Sequence, residues 1–397
     1  MKVLVVTPSC YSKHVGAVQR DIYSIIRFLQ KMDYEVVLYT IRTFHRDLAT
    51  IEAVAKKYNI RAKVFEPSLS IIKRFKDMIV HSWVLFDGAT HVFDQMAGDQ
   101  EFKSWINDFK PDVIFSFCSY SWPVLRLAKQ LGIHSVFRSH NFESSFFWES
   151  LDSGQKFNPL NWLRYAAKYL EEKKAAVYSD AVATLPFEQV EKYRRWKNSG
   201  KVHILTLPFL ALAMREPDVH IDKQQIDLFY LGAHYDVIFH LRGVKMLIED
   251  IAPRILKMAG DSVKFHVCGA KLPQFLIDQC GDNVSYEGYV PDLDLFLAKM
   301  DAGVFPVMSG KTMKGKVFDS LARAFPIVIS RNCLGGYRLR DGEEVFIADS
   351  VDEFVEKILL LRDSEVRKRL AHGARNFSLN NFSEENILAV LGKALQA

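Results

Sequence analysis

The residues of this chain that could do chemistry are most concentrated between two short apolar segments, residues 302–307 and 326–330. These segments predict buried parallel strands, and a glycine- and lysine-rich loop at 310–315 leads from the first of them into a helix. Free backbone N–H groups and the positive end of the helix dipole favour an anion in such a loop. The sequence therefore predicts an anion-binding turn.

Four side chains make the expected anion more specific. Lys311, Lys314 and Lys316 place three cations within six residues, and the helix is predicted to begin near Lys316. Asp319 follows on the first turn of that helix, where its carboxylate would accept a hydrogen bond from a sugar hydroxyl rather than bind phosphate. Cations for phosphates and a carboxylate for a sugar are the chemistry of a nucleotide diphosphate site.

Size and composition limit the class of protein. A chain of 397 residues is too long for one ordinary core, so two domains are expected. The net charge of +5 suits anionic ligands or an anionic membrane surface, but it is too weak and scattered to indicate nucleic acid. Five widely spaced cysteines without metal-ligand spacing indicate a reducing compartment. Because neither a signal peptide nor a membrane-spanning segment is recognisable, we expect a cytoplasmic protein.

Strands and helices alternate in two series. The strands predicted in the first series cover residues 2–7, 34–40, 112–117, 135–137, 181–184 and 203–205. Those predicted in the second cover residues 228–231, 264–268, 284–286, 303–306 and 327–329. The helix between the first two strands is expected at 18–32, because its apolar residues have helical spacing. Strand–helix–strand order of this kind predicts an α/β protein with doubly wound parallel sheets.

The domain organisation follows from these two series. We expect a Rossmann-like N-terminal domain at 1–207, a linker at 208–226 and a second Rossmann-like domain at 227–378, with the two domains facing a central cleft. The last segment, 379–397, predicts a helix that can pack back on the N-terminal domain. Asn381 is its expected cap, and Glu384 stands three positions further on.

The second half of the chain resembles the GT-B glycosyltransferases, specifically the retaining family often called GT4 or group 1. The segment 316–326, KVFDSLARAFP, is similar to the K-v-l-E-a-l-a-x-G-x-P segment of that family. Gly269 after a strand and the turn that contains Tyr289 and Val290 are further matches. The resemblance implies a GT-B fold with nucleotide-sugar binding in the C-terminal domain and acceptor binding in the N-terminal one.

The first half carries two further matches. Residues 15–20, VGAVQR, resemble the first glycine-rich loop of the family, and residues 138–143, RSHNFE, resemble the H-N-x-E segment of many bacterial sugar transferases. The chain also departs from the family pattern. Lys311 and Asp319 stand where the family commonly has two glutamates, and Ala17 replaces the second glycine of the first loop.

In the second half, the resemblance implies a donor site around the predicted turn. Lys314 and Lys316 would neutralise the diphosphate, and Lys316 would stabilise the charge that develops on the β-phosphate as the nucleoside diphosphate leaves. Arg242 would be a second phosphate ligand, because its guanidinium can bind two oxygens at once. The other residues implied to contact the donor are Lys311, Asp319, Gly269, Tyr289 and Val290. Asp319 would bind the ribose, Gly269 would lie along the nucleotide, and Tyr289 and Val290 would surround the base. For each of these residues the alternative is a solvated surface charge or simple packing.

In the first half, Gly16 and Ala17 follow the first strand, where a backbone without bulky side chains can approach a phosphate or a sugar. His140 follows a strand end, so its imidazole is expected to bind the donor sugar or to lie near the reacting centre. The alternative for His140 is a structural histidine that holds its loop. Glu143 is the candidate carboxylate on the acceptor side.

The function that the resemblance implies is transfer of a sugar from a nucleotide diphosphate to a glycan or lipid-linked acceptor, with retention, in cell-surface polysaccharide or glycoconjugate synthesis. Three alternatives stay open: an inverting transferase with Glu143 as general base, a nucleotide-sugar epimerase, or a degenerate subunit that binds nucleotide sugars without catalysis. No cofactor or metal is expected besides the nucleotide-sugar substrate. The pair Asp292 and Asp294 is predicted to lie on a turn outside the phosphate loop.

Two segments suggest a further partner. Residues 71–86 and 162–174 mix lysine and arginine with apolar and aromatic residues. Such segments can rest on an anionic membrane, which would place the protein peripherally on the inner face of the plasma membrane. The alternative is an internal helix at the rim of the cleft.

Overall fold

The computed structural model describes residues 1–8, 16–42, 48–67, 88–186, 190–221, 223–235, 238–308 and 313–396. The chain divides into two compact units. The first unit consists of Met1–Phe209 and Glu384–Ala397, and the second consists of Leu210–Ser383. The boundaries predicted at 207 and 378 lie close to these divisions.

The first unit is built on a parallel sheet of seven strands in the order β3–β2–β1–β4–β5–β6–β7. The strands are β1 (Lys2–Thr7), β2 (Glu35–Ile41), β3 (Arg61–Phe65), β4 (Val113–Phe117), β5 (His134–Ser139), β6 (Ala181–Thr184) and β7 (Val202–Ile204). The central strands β1 and β4 are almost wholly buried, as expected when helices cover both faces of a parallel sheet. The strand order reverses between β1 and β4, which is the predicted doubly wound arrangement.

The helices of the first unit connect these strands. They are α1 (Ala17–Lys31), α2 (Leu48–Tyr58), α3 (Gly88–Gly98), α4 (Gln100–Phe109), α5 (Trp122–Leu131), α6 (Glu143–Ser150), α7 (Pro159–Tyr178) and α8 (Val190–Trp196). The helix predicted at 18–32 is confirmed as α1, and the apolar face that predicted it, including Ile22, Ile25 and Leu29, is buried. α1 therefore joins the strands β1 and β2 as the periodicity indicates.

The second unit contains a parallel sheet of six strands in the order β10–β9–β8–β11–β12–β13. The strands are β8 (Ile226–His234), β9 (Val263–Ala270), β10 (Val284–Gly288), β11 (Ala302–Phe305), β12 (Ile327–Ile329) and β13 (Phe346–Ile347). The helices are α9 (Phe209–Ala213), α10 (Ile238–Met246), α11 (Ala252–Ala259), α12 (Gln274–Ile277), α13 (Leu293–Leu297), α14 (Gly315–Ala322), α15 (Val351–Leu360) and α16 (Ser364–Phe382). A π-helical turn, Leu247–Ile251, separates α10 from α11.

The C-terminal helix begins later than predicted. α16 continues to Phe382, and only then does the extended backbone of Ser383 (φ −57°, ψ 153°) separate it from α17 (Glu384–Gln396). Asn381 lies inside α16 and donates its amide hydrogen to Phe377 O at 2.8 Å, so it is not the cap. The sequence pattern was misleading because a cap is defined by backbone geometry and not by residue type alone.

α17 belongs to the first unit. Glu384, its first residue, pairs with Lys31 at the end of α1, with Nζ to Oε2 at 2.6 Å. Further along the helix, the carbonyl of Ala394 lies 3.0 Å from Nε2 of His134 at the start of β5. The segment predicted as a linker is also partly ordered: it contains α9, and the carbonyl of His220 accepts a 2.7 Å hydrogen bond from Arg367.

Within the described residues, no helix is long and apolar enough to cross a bilayer.

Packing in the second unit requires a glycine in α16. A Cβ at Gly373 would stand 2.0 Å from Glu343 O and 3.1 Å from the Cα of Glu344, both parts of the backbone. We predict that Gly373→Ala lowers the free energy of unfolding by about 2 kcal/mol or more, because overpacking outweighs the gain of about 1 kcal/mol in helix propensity. Urea denaturation followed by circular dichroism measures the change.

Gly281→Ala is the matched control, since a Cβ there would meet only Asn283 Oδ1 at 3.8 Å, an ordinary contact. A Gly373→Ala protein as stable as the control would contradict the packing argument.

Candidate functional site

A buried ion pair lies at the carboxyl end of β5. Arg138 stands one residue before the end of that strand, and Asp21 lies on α1; neither side chain is exposed to solvent. The guanidinium binds the carboxylate with both arms, Nε to Oδ2 at 2.9 Å and Nη2 to Oδ1 at 3.1 Å. Such a planar, two-bond contact is the strongest form of carboxylate pairing in proteins.

Two further donors of Arg138 bind backbone. Nη1 donates to Leu205 O at 2.6 Å and Nη2 donates to Thr206 O at 3.0 Å, in the segment that follows β7. The side chain of Arg138 therefore holds both α1 and the segment after β7 at the carboxyl ends of the strands of the first sheet.

Burial raises the pKa of Asp21, but the charge of Arg138 and the hydrogen bonds from Arg138 and His140 outweigh this effect and hold its pKa below the usual value. Asp21 is therefore a carboxylate at neutral pH.

His140 completes this cluster. Its Nε2 lies 2.6 Å from Asp21 Oδ2, and its ring stacks on Phe117 with 5.7 Å between centroids and 21° between planes. The imidazole is only 7% exposed. Its other nitrogen, Nδ1, is buried without a hydrogen-bond partner among the described residues. The predicted position of His140 after a strand end is confirmed, and the structure brings it to two charged residues that the sequence interpretation did not include in the site.

Glu143 is the first residue of α6, three positions after His140. Its backbone N–H and the hydroxyl of Ser144 both donate to the carboxyl group of Glu172, the latter at 2.9 Å. Burial raises the pKa of Glu172 well above its usual value. The side chain of Glu143 itself is half-buried, and its predicted acceptor-side role stays a prediction.

Gly16 and Ala17 are exposed at the beginning of α1. Gly16 has extended backbone (φ −76°, ψ 177°), and a Cβ there would meet only the side-chain oxygen of Gln19, at 3.2 Å. Packing within the described residues therefore does not require a glycine at this position. The same helix carries Asp21, so the predicted glycine loop and the buried ion pair are joined by little more than one turn.

In the second unit, the predicted anion-binding loop is described only at its end. Lys311 lies outside the described residues, whereas Lys314 directly precedes α14 and is half-buried. α14 begins at Gly315, which confirms the predicted helix start near Lys316.

Asp319 lies deeper in α14 than predicted. No acidic residue occupies the first turn, and Asp319 falls in the second, where it is 1% exposed. Its Oδ1 lies 3.7 Å from Nε of Arg323, one turn further along the helix. The first-turn position was wrong because the helix begins at Gly315, one residue before the predicted start, so Asp319 is its fifth residue and falls in the second turn. The ribose contact predicted for Asp319 stays a prediction.

Lys316 faces aromatic side chains of its own unit. Its Nζ lies 3.3 Å from Tyr230 Oη, 4.4 Å from the centre of the Tyr230 ring and 5.8 Å from that of Phe305. Burial lowers the pKa of Lys316 to about 8, the nearby Cys333 opposes this shift, and Lys314 adds to it. No carboxylate pairs with this amine in the described part of the chain. Lys316 is thus a desolvated amine that an anion would hold in its charged form.

Gly269 has a close neighbour already. Its φ of +133° is a backbone conformation that favours glycine, and a Cβ there would stand 2.7 Å from the ring of Tyr235. A Cβ at Gly232 would meet the hydroxyl of the same tyrosine at 2.1 Å. Tyr235 is buried in this slot, and its hydroxyl donates to Cys268 O at 2.6 Å. The two glycines therefore accommodate Tyr235, and contact between Gly269 and a nucleotide stays a prediction.

The other predicted donor residues lie near strand ends. Arg242 is exposed on α10, beside Gly243, whose absent Cβ would stand 3.1 Å from Pro306 O. Tyr289 is 54% exposed and Val290 is half-buried, just after the end of β10. The structure gives each of these residues a place at the surface or at a strand end, and their contacts with a ligand stay predictions.

The sequence interpretation missed a pair of glycines after β12. Gly335 and Gly336 have φ angles of +57° and +86°. A Cβ at Gly335 would stand 2.8 Å from the Cα of Met313, the first residue of the predicted loop that the structure describes. Two adjacent glycines after a predicted strand were the signal that could have identified this support of the loop.

The aspartate pair is used in structural contacts. Asp292 caps α13, because its Oδ1 accepts from Leu295 N at 3.0 Å, and Asp294 pairs with Arg323. No group of three or more residues suited to hold a metal ion occurs in the described parts of the chain.

Comparison with known proteins tests the resemblance. Residues 225–364 match the family model described as glycosyl transferases group 1. The predicted resemblance to this family is confirmed. No curated protein matches the chain in sequence.

Solved structures share the fold. Anabaena Alr3699/HepE in complex with UDP and glucose has a TM-score of 0.64 at 12% identity, with 100% of both chains covered. A mutant of S. aureus TarM in complex with fondaparinux, alpha-GlcNAc-glycerol and UDP has a TM-score of 0.67 at 11% identity, again with 100% of both chains covered. A putative UDP-N-acetylglucosamine 2-epimerase from Listeria monocytogenes has a TM-score of 0.60 at 11% identity, with 98% of this chain and 95% of its own chain covered. The fold is GT-B, with two parallel-sheet α/β units, as predicted.

The buried ion pair generates a prediction about stability. We expect Arg138→Met to lower the free energy of unfolding by about 3–5 kcal/mol, because it leaves the carboxylate of Asp21 buried without its partner. Chemical denaturation measures the loss. Arg126→Met is the control: Arg126 forms a 3.0 Å ion pair with Asp94 in the same unit, and both side chains are partly exposed. Removing a pair that solvent reaches should cost about 1 kcal/mol or less. Equal effects of the two substitutions would contradict the assigned role of Arg138.

Proposed function

We propose that the protein is a glycosyltransferase that moves a sugar from a nucleotide diphosphate to a glycan or lipid-linked acceptor. The observation that carries this proposal is the environment of Lys316, in the unit that matches the group 1 family model. Its amine is desolvated against Tyr230 and lies at the beginning of α14, beside Lys314. A cation fixed there would bind the diphosphate and gain strength as negative charge develops on the leaving group.

The helix adds to the charge of the lysine. The backbone N–H groups of Val317 and Phe318 donate to the carbonyl of the cap residue Lys314, so those of Gly315 and Lys316 precede the first hydrogen-bonded turn of α14. The helix dipole favours an anion at this end. HepE and TarM were both solved with UDP, so uridine diphosphate is the first nucleotide to test.

We further propose that transfer occurs with retention and serves the synthesis of cell-surface polysaccharide or glycoconjugate. An inverting transferase would need a general base near the acceptor hydroxyl, for which Glu143 is the candidate. The anomeric configuration of the product, determined from NMR coupling constants, separates the two mechanisms.

A specific observation favours a second candidate, a nucleotide-sugar epimerase: the Listeria structure named a putative epimerase shares the fold. Conversion of the nucleotide sugar without any acceptor would support that function, and transfer that requires an acceptor would exclude it. A degenerate binding subunit would bind the nucleotide but neither transfer nor isomerise the sugar. The expectation that no metal takes part is tested by the same assays with and without a chelator.

Lys316 provides a prediction with a defined pH dependence. The charged form of an amine with a pKa of about 8 is lost above that pH, so affinity of the wild-type protein for UDP should fall as pH rises from about 7.5 to about 9.5. Lys316→Met should lower this affinity at least about tenfold at the lower pH and remove most of the pH dependence. Isothermal calorimetry across this range measures both effects, and transfer rates of the same proteins should follow them.

Lys368→Met is the matched control, because Lys368 is a cation of the same unit that pairs with Glu365 on α16. It should bind UDP as the wild type does. Wild-type affinity in Lys316→Met would remove the proposed phosphate role.

We also propose that the protein contacts an anionic membrane through an apolar patch formed by Phe157, Leu160, Trp162 and Leu163, at the beginning of α7. These side chains are 85%, 55%, 55% and 43% exposed, respectively. Trp162 is held in place, because its Nε1 donates to Lys156 O at 3.0 Å. The predicted segment at 71–86 lies outside the described residues, as residues 68–87 are not described.

Neighbouring cations support an anionic partner for this patch. Lys156 directly precedes Phe157, and Arg164, which is exposed, directly follows Leu163. Apolar side chains flanked by cations suit the boundary between acyl chains and anionic headgroups.

We predict that Phe157→Ser combined with Trp162→Ser reduces binding to phosphatidylcholine vesicles that contain phosphatidylglycerol by about tenfold or more. Vesicle co-sedimentation measures the binding, and vesicles of phosphatidylcholine alone should bind the wild type weakly. Met258→Ser, at a residue 64% exposed in the second unit, is the control and should bind as the wild type does. Equal binding by the double variant and the wild type would contradict the membrane contact.

A further inference from the structure

We propose that Asp21 is a positioning residue that holds His140 as its Nε2–H tautomer, so that Nδ1 accepts a hydrogen bond from a sugar hydroxyl of a substrate. The proposal rests on the proposed function, because a glycosyltransferase must bind hydroxyl groups of both its substrates. It assigns a role to a residue of α1 that does not itself contact the sugar.

The tautomer follows from the contact between the two side chains. Asp21 Oδ2 lies 2.6 Å from Nε2 of His140, and a carboxylate oxygen can only accept a hydrogen bond. The proton of a neutral imidazole must therefore be on Nε2. The other ring nitrogen is then left as a bare acceptor, and the tautomer of a histidine is commonly set in this way by the partner of its second nitrogen.

Arg138 ensures that Asp21 remains an acceptor. A protonated carboxyl group could donate to Nε2 and reverse the tautomer, but the two-armed contact with Arg138 favours the ionised form. The low pKa of Asp21 agrees with this geometry. The guanidinium of Arg138 thus keeps Asp21 ionised, and the carboxylate of Asp21 sets the tautomer of His140.

The unused nitrogen indicates where a ligand binds. The ring of His140 is more than nine-tenths buried. Its Nδ1 is buried with it and has no hydrogen-bond partner among the described residues. Buried polar atoms are rarely left unsatisfied, since their desolvation costs free energy. Phe117 covers one face of the ring, so the ring cannot easily turn to satisfy Nδ1 elsewhere.

The chemistry of a bare ring nitrogen selects the ligand. As an acceptor, Nδ1 requires an O–H or N–H donor, and the abundant donors on a sugar are its hydroxyl groups. A site built to bind a hydroxyl rejects the deoxy analogue strongly, because the buried acceptor then stays unpaired. The hydroxyl can belong to the donor sugar or to the acceptor sugar, and the kinetic measurements below separate the two.

The first experiment uses the unmodified protein. Two-bond ¹H–¹⁵N NMR correlation of the protein with ¹⁵N-labelled histidine reports which ring nitrogen carries the proton, and His140→Gln identifies the signals of His140. At neutral pH we expect Nε2 to be protonated and Nδ1 to be unprotonated. A proton on Nδ1, in either a neutral or a charged ring, would overturn the proposal.

The second experiment replaces the carboxylate by an amide. In Asp21→Asn, the amide NH₂ group can either donate to Nε2 of His140 or face an N–H of Arg138. Where it donates to Nε2, the proton of the imidazole must be on Nδ1, so a detectable share of His140 should carry its proton there. Because the variant leaves Arg138 without a countercharge and can lose stability, the double variant Asp21→Asn with Arg138→Gln is measured beside it. Asp94→Asn is the matched control, since it removes a carboxylate from an ion pair of the same unit at the surface.

The Asp21 variants should keep their affinity for UDP but transfer sugar more slowly. Affinity for UDP alone should stay within about twofold of wild type in the Asp21 variants, while transfer falls about tenfold to hundredfold. If the Asp21 variants lose the additional affinity that the nucleotide sugar has over UDP, the hydroxyl belongs to the donor sugar. If instead the KM for the acceptor rises, the hydroxyl belongs to the acceptor. Unchanged tautomer and unchanged transfer in both folded variants would overturn the proposal.

Failure of the proposed function can be distinguished from failure of the positioning role. If the wild type transfers no sugar, the proposed function fails, while the tautomer of His140 still decides the role of Asp21. If the wild type transfers sugar and the Asp21 variants match it, the proposed function stands and the positioning role fails.

Discussion

A buried arginine needs a countercharge, and this requirement organises the first unit. The guanidinium of Arg138 has no exposed surface, so every donor must be satisfied by protein. Asp21 supplies the charge, and the carbonyls of Leu205 and Thr206 supply further acceptors. These partners come from α1 and from the segment after β7, so the pairing also fixes the edge of the sheet where His140 lies.

The two units treat charge in different ways. In the first, Arg138 is neutralised internally by Asp21, and Nδ1 of His140 is one of the buried polar atoms that have no hydrogen-bond partner among the described residues. In the second, the amine of Lys316 lies on the ring of Tyr230 with its pKa lowered by burial. A neutral acceptor suits a hydroxyl group, whereas a desolvated amine suits an anion.

Particular elements show how far the sequence could be used for prediction. Strands β1, β6 and β12 were predicted with the correct bounds, because short apolar segments between helices are typical of buried parallel strands. β3 was missed because it alternates exposed and buried residues at a sheet edge, and β13 because it has only two residues. The start of α14 was predicted to within one residue, but this one residue moves Asp319 from the first turn to the second, since helical phase depends on where the backbone first closes a turn.

The sequence by itself determined the parallel α/β class of both units, the helix after the lysine-rich loop and the position of His140 after a strand. These are properties of neighbouring residues, and local periodicity and residue type carry them. Only the tertiary structure decided that Asp21 and Arg138, 117 residues apart, form one buried pair with His140, and that Lys316 lies on Tyr230. Such contacts depend on which strands become neighbours in the sheet, and no local pattern of residues records that.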